Sequence, residues 1–342
     1  MKDAGSIDFV VTWVDGSDPQ WLAERDRYAE LEPEALSRNP TRYRDWKILK
    51  YWFRAVETYA PWVRTVHFVT CGHVPAWLDT SNPKLHVVRH ADFIPPEYLP
   101  TFNSNAIEMF LHRIPGLAEQ FVYLNDDVFV TAPVKPEFFF RKGLPRDFFE
   151  LNGIRFTSGN ISHTIGSCVS LVNDNFSPRK TFKAHWRKML SPRNGLKSVL
   201  RTILIGLLFP DCYLSLTGRH CFIAFRKRTF EEVWEKAGDQ LRTTASHRFR
   251  KPGDVSPWAF RYWQLASGAF FPASPHPYEC VQLFDSRVDG ACEMVRRRSR
   301  VVLCLNDSSR LKQVGVAARK VRDALESVLP ERSSFEKEEG VL

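Results

Sequence analysis

The ten residues Phe121-Val122-Tyr123-Leu124-Asn125-Asp126-Asp127-Val128-Phe129-Val130 constrain the fold of this chain more than any other segment. Apolar and aromatic residues run up to Asn125, resume at Val128, and leave three consecutive polar residues between. A strand covered on both faces reads as such a run rather than as an alternation. Ending it in adjacent carboxylates sets charge at the carboxyl edge of a sheet, where open α/β folds bind ligands. Paired carboxylates there suit a divalent cation that carries a phosphate. The triplet by itself fits a solvated turn equally well, so the rest of the chain has to decide.

Ile7 to Val14 reads as a second buried strand, closed by the turn Asp15-Gly16-Ser17-Asp18-Pro19. A basic, polar stretch follows to Arg44. Ile48, Leu49, Trp52, Phe53 and Val56 recur at helical spacing, and Tyr59-Ala60-Pro61 stops that helix. Val63 to Thr70 and Leu85 to Val88 read as strands, and Ser104 as the N-cap of a helix through Arg113. Strands alternating with helices predict an α/β sheet with parallel pairs, its acidic turns at Asp15 and Asp126 on one edge. Further helices are expected from Arg226 to Lys236, Trp258 to Ser267 and over 314–329. A strand from Val301 to Leu305 ends in Asn306-Asp307-Ser308. The expected division is a nucleotide-binding half over 1–150, a variable insertion over 151–215 and a half over 216–330 that completes the same domain. The charged tail over 331–342 is expected to fray.

Within the insertion, Leu196, Val199, Leu200, Ile203, Leu204, Leu207 and Leu208 share one helical stripe, with Lys197 and Arg201 beside it. A basic amphipathic helix of this kind is too short to span a bilayer but suited to lying on one. A helix packed on the protein's own core gives the same pattern. The net charge of +9 implies anionic partners. No zinc-finger or RNA-binding signature accompanies the clusters at Arg296–Arg300 and Arg242–Lys251, so nucleic acid is not the expected partner. Seven cysteines without a CxxC pair fit reduced thiols in a cytosolic protein. Residues 1–5 run into the first strand without the apolar stretch of a signal peptide.

Three strand ends therefore carry acids: Asp15 with Asp18, Asp126 with Asp127, and Asp307 beside Asn306. The chain has no Rossmann glycine fingerprint, no P-loop and no kinase loop set, which leaves cation-assisted phosphate chemistry of another kind. His220, in Thr217-Gly218-Arg219-His220-Cys221, is a candidate general base for deprotonating a hydroxyl. Arg248 and Arg250 would share one face of an extended segment and clamp a phosphate.

These residues resemble the Stealth family of hexose-1-phosphate transferases, which includes bacterial capsular polysaccharide phosphotransferases. The catalytic subunit of the lysosomal-enzyme N-acetylglucosamine-1-phosphotransferase is another member. The resemblance runs through four blocks: Ile7 to Pro19; Leu49 through Leu99-Pro100-Thr101-Phe102-Asn103-Ser104 to Asp127; His220 to Arg250; and Cys304 to Asp307. Residues 150 to 215 match nothing in it. It implies a nucleotide-diphosphosugar transferase-like (GT-A/Rossmann-like) mixed sheet flanked by helices, with a helical insertion. It also implies attack of an acceptor hydroxyl on the β-phosphorus of a UDP-sugar, with UMP leaving and a phosphodiester formed. The implied acceptor is a glycan or lipid-linked glycan, and the implied location is the cytoplasm, peripheral to the inner face of the membrane. Metal-dependent glycosyl transfer, with UDP leaving, is the alternative. On this reading Asp127, Asn306 and Asp307 hold Mg²⁺ or Mn²⁺. Asp126, His220, Arg248 and Arg250 are catalytic, and Asp15, Lys50, Asn103, Ser104, Glu108 and Asn125 bind substrate.

Overall fold

The computed structural model describes residues 5–30, 43–157 and 160–338. Its strands are β1 (Ile7–Thr12), β2 (Val66–Thr70), β3 (Leu85–Arg89), β4 (Gln120–Asn125), β5 (Val128–Val130), β6 (Phe140–Arg141), β7 (Leu144–Asp147), β8 (Ile223–Arg226), β9 (Phe271–Pro272), β10 (Tyr278–Gln282) and β11 (Val302–Asn306). The helices are α1 (Pro19–Glu30), α2 (Leu49–Tyr59), α3 (Ser104–Glu108), α4 (Asn160–Asn175), α5 (Pro178–Met189), α6 (Leu196–Leu208), α7 (Lys227–Ser246), α8 (Trp258–Ala266), α9 (Val288–Arg296) and α10 (Val314–Val328).

The central sheet has the order β3-β2-β1-β4-β8, with its first four strands parallel and β8 antiparallel to β4. Phe9 and Val11 enter the core shared with α2, α9 and α10, while Val10 enters the core shared with α4, α7 and α8. That period of two, covered on both faces, is why β1 and β4 read as apolar runs. Asp8 is the exception and is fully buried. Burial alone would raise its carboxyl, but hydrogen bonds from Arg64 and His67 hold it down to about 2. The expected mixed sheet flanked by helices is present.

A second sheet, β10-β11-β5, stands beside the first. The chain leaves β4 at Asn125, turns through Asp126 and Asp127, and enters the second sheet as β5. The acid pair therefore sits at the joint between two sheets. A third small sheet has the order β6-β7-β9.

Several expectations need correction. Asn103, not Ser104, caps α3: its side chain accepts from the Asn105 N–H, and the helix stops at Glu108 before a 3-10 turn at Leu111–Arg113. Part of the polar stretch before Arg44 is helix α1; residues 31–42 lie outside the described residues. The helix begun near Arg226 continues to Ser246, with non-helical backbone at Ala237. The tail does not fray as far as Glu338. Phe335 packs on Phe53 with ring centroids 5.2 Å apart, Glu336 pairs with Arg54 at 2.8 Å, and the Lys337 N–H donates to the Trp77 carbonyl.

Candidate active site

Parallel pairing sets Thr12 of β1 opposite Asn125 of β4, so the turns that follow both strands share the carboxyl edge. Antiparallel pairing of β11 with β5 sets Cys304 opposite Val128, and the Leu305 N–H donates to the Asp127 carbonyl. Asn306 and Asp307 thus follow directly alongside the Asp126-Asp127 turn. By register the three acidic strand ends share this edge, although Asp15 opens into a cavity of its own.

Asp127 is the best-placed acid. Its Oδ2 accepts from the Cys304 thiol at 3.4 Å and lies 3.9 Å from His220 Nε2. The Asn125 amide nitrogen is 3.3 Å from the same ring nitrogen. Asp127 Oδ1 is buried and has no hydrogen-bond partner among the described residues. A buried carboxylate oxygen left unmatched is costly unless a ligand completes it. Ligand atoms of Asp127, His220 and Cys304 all lie within 4.8 Å of one another, a set that fits a divalent cation. Burial pushes the Cys304 thiol well up, however, so it serves Asp127 as a proton donor rather than as a thiolate. Crowding by surrounding atoms and the adjacent Asp127 carboxylate push the Asp126 carboxyl up, although the residue is exposed to solvent, which tempers the first of these causes.

A cleft of 160 Å³ opens from His220 towards Glu108, Arg219, Arg250 and Trp258. Glu108 is buried and held by a chain of hydroxyls: Tyr123 donates to it at 2.7 Å, and the Tyr123 oxygen is 3.0 Å from Thr12 Oγ1. Burial pushes the Glu108 carboxyl up to about 7, against the pull of Arg250. Arg250 in turn donates to Ser104 Oγ. Gly218 precedes this wall by contact rather than by backbone angle. A Cβ there would lie 1.2 Å from the Trp258 ring, so only glycine lets the indole lie against the loop before β8 that presents Arg219 and His220.

The candidate residues divide between two cavities and a frame. Glu108, Asn125, His220 and Arg250 line the cleft just described. Asp15 and Lys50 line a separate 650 Å³ cavity with Trp13, Lys47 and Arg322. There Asp15 accepts from the Ser17 hydroxyl, which holds its carboxyl below the usual range, and its N–H donates to His73. Asn103 is fully buried and donates to Asp254 at 2.8 Å and to the His247 carbonyl, fastening the Arg248–Arg250 segment to α3. The two arginines do not converge, because the segment forms no strand. Arg250 faces Ser104, whereas Arg248 stacks over the Tyr28 ring at 5.1 Å. Asp307 is held by Arg44 at 3.2 Å and by the Trp46 indole at 3.0 Å. The Tyr123 hydroxyl, Arg219, Trp258 and the Cys304 thiol were missed as site groups from the sequence. The glycine at 218 was the one available signal for Trp258.

Three conserved regions of the Stealth protein family match the chain: region 1 over residues 5–31, region 2 over 42–147 and region 3 over 219–263. Asp15, Glu108, Asp126, Asp127, His220 and Arg250 fall inside them, and the Cys304–Asp307 block falls outside. The chain is 36% identical to the capsular polysaccharide phosphotransferase WcwK of Streptococcus pneumoniae, over 97% of its own length and 99% of the relative's. It is 36% identical to the exopolysaccharide phosphotransferase cps2G of Lactiplantibacillus plantarum, over 97% and 96% of the two chains. Among solved structures it overlaps the galactosyltransferase LgtC at 11% identity and a TM-score of 0.38, over 96% of this chain and 98% of that one. Matched in three conserved regions, and to full-length relatives from end to end, the chain belongs to the Stealth family.

Proposed function

We propose that this protein is a capsular or exopolysaccharide phosphotransferase. It moves a hexose-1-phosphate from a UDP-sugar to a hydroxyl of a glycan or lipid-linked glycan, forms a phosphodiester and releases UMP. The observation that carries the reading is the meeting of Asp127, His220, Glu108 and Arg250 around one edge, in a chain whose full-length relatives are named phosphotransferases. Transfer at phosphorus needs positive charge on the equatorial oxygens and an in-line hydroxyl. Arg250 and Arg219 supply cations on the cleft wall, and His220 is the group exposed to take the hydroxyl proton. Glu108 holds Arg250 in place through the Ser104 side.

A divalent cation, Mg²⁺ or Mn²⁺, would be held by Asp127, with Asp126 and Asn306 beside it. Asp307, already engaged by Arg44 and Trp46, shapes that edge. Such a cation supplies charge neutralisation on a pyrophosphate when bound. Asp15 and Lys50, in the larger cavity, are proposed contacts of the nucleotide portion. The proposed location is the cytoplasm, peripheral to the inner face of the plasma membrane.

Incubation with a panel of UDP-sugars, a glycan acceptor and Mg²⁺ or Mn²⁺, followed by mass spectrometry, tests the reading. UMP together with a phosphodiester product is expected. UDP as the product would instead make this a glycosyltransferase. His220→Ala turning over at the wild-type rate would remove the base assignment.

A further inference from the structure

Helix α6 is packed the wrong way round for a helix that serves the core. Its buried side is Ser198 and Thr202, with Gly206 one turn further on against Phe182 and Leu151. Polar bonds fasten it there. Ser198 donates to Glu150, Arg201 donates to Glu150 at 2.7 Å, and Thr202 Oγ1 accepts from the Leu151 N–H at 3.2 Å. The leucines face out: Leu196 is 74% exposed, Leu200 67%, Leu204 60% and Leu207 76%. Trp186, on the adjoining α5, is exposed too. Contiguous apolar surface of this kind marks an interaction site.

The charge around it names the partner. From Pro178 to Phe209 the chain carries Lys or Arg at 180, 183, 187, 188, 193 and 197 and no Asp or Glu, besides Arg179 and Arg201, which pair with Asp211 and Glu150. A second copy docking face to face would bring this cationic surface against itself, because an isologous contact pairs a patch with its own equivalent. An anionic bilayer offers both missing complements, acyl chains for the leucines and headgroup phosphates for the cations. At about 1.5 Å per residue, α6 reaches roughly 20 Å, short of the ~30 Å hydrocarbon core, so it can lie in the interface but not cross it. No described helix is long and apolar enough to span.

We propose that α6, with the adjoining face of α5, lies in the plane of an anionic membrane with Leu200, Leu204 and Leu207 at the acyl boundary. The same insertion contributes Ile161 and Thr164 to the wall of the His220 cleft. On the phosphotransfer reading, and only on it, a bilayer docked here presents a lipid-linked acceptor to that cleft.

Flotation of the full chain with phosphatidylcholine vesicles, with and without phosphatidylglycerol, tests the surface without reference to activity. Wild type should float with the anionic vesicles only, and less so at about 0.5 M salt. The combined variant Leu200→Glu, Leu204→Glu, Leu207→Glu should lose about 100-fold in partition. Lys183→Glu with Arg187→Glu and Lys197→Glu should lose a similar factor. Both variants should keep the wild-type melting curve and turnover on a soluble acceptor, which separates loss of docking from loss of fold or chemistry. Unchanged partition of the leucine variant overturns the proposal, as does equal flotation on neutral vesicles. A lipid-free dimer abolished by the leucine changes, with no vesicle binding, assigns the face to self-association instead and also overturns it.

Discussion

The Cys304 thiol donates to Asp127 Oδ2 across 3.4 Å, so the carboxylate beside His220 is oriented from behind by a strand of the second sheet. This fixes which Asp127 oxygen is spoken for and leaves the buried Oδ1 without a partner among the described residues. Asp127→Asn should lower turnover at least ~100-fold and weaken Mn²⁺ binding measured by electron paramagnetic resonance. Cys304→Ser, which keeps a donor, should stay within about threefold of wild type. Cys304→Val, which removes it, should cost about tenfold, the scale of one buried hydrogen bond. Loss of Mn²⁺ binding in Cys304→Ser would make the sulfur a ligand and refute its role as donor.

Gly218 and Trp258 occupy space that a single methyl would contest. A Cβ at 218 falls inside the indole ring, so Gly218→Ala must move either Trp258 or the Arg219-His220 backbone. Turnover should fall about tenfold or more, with little change in secondary structure by circular dichroism. The double variant Gly218→Ala with Trp258→Ala should recover part of that loss, since the colliding ring is gone. Non-recovery, with additive losses in a double-mutant cycle, would show that the two residues act independently.

The frame of the site was legible in the sequence because parallel strands covered on both faces announce themselves as apolar runs. β1 and β4 are such runs, and the acids that close them fall on one edge by register. The side chains that complete the cleft were less legible, because their partners are distant in sequence. Asn103 reads as a substrate contact in the second block of the resemblance, yet its amide is consumed by Asp254, 151 residues away. Arg248 and Arg250 share a face only if the segment is extended, and here it is a loop stapled to α3. The spacing of the leucines in α6 predicts a helix correctly but says nothing of which face is buried. That is decided by Glu150 and Leu151, which reach the polar side first.

Glu108 gives a pH dependence of definite sign. Its carboxyl is pushed up to about 7 from an ordinary 4.5, so over that interval the folded state keeps a proton that the unfolded chain has lost. Stability from this group is therefore largest below about pH 4.5 and declines as pH rises towards 7. Glu108→Gln abolishes the ionisation but keeps an acceptor for Tyr123. At about pH 8 the variant should be more stable than wild type by on the order of 2–3 kcal/mol, with the gap closing towards pH 4.5. It should also be less active, as expected where a strained group serves the site. Urea unfolding across this range checks the first claim, and a gap that is constant with pH would contradict it.

The C-terminal residues hold the fold from outside the matched family regions. Arg54, on α2, is 5% exposed at its side chain and Glu336 only 6%, and the guanidinium also donates to the Leu329 and Pro330 carbonyls. Burial would raise the Glu336 carboxyl, but the Arg54 hydrogen bond overrides it and holds the group below its ordinary value. Its contribution is therefore present above the ordinary carboxylate range near pH 4.5 and is lost as pH falls through the folded-state value. Glu336→Gln should cost about 3 kcal/mol at neutral pH, because it strands a buried cation that keeps only part of its partners. Phe335→Ala should cost a similar amount by emptying the pocket against Phe53. Denaturant melts of the Gln variant should converge on wild type as the pH is lowered below about 4.5. A Glu336→Gln gap that persists undiminished in acid would mean that packing of the tail, and not the charge pair, holds it to α2.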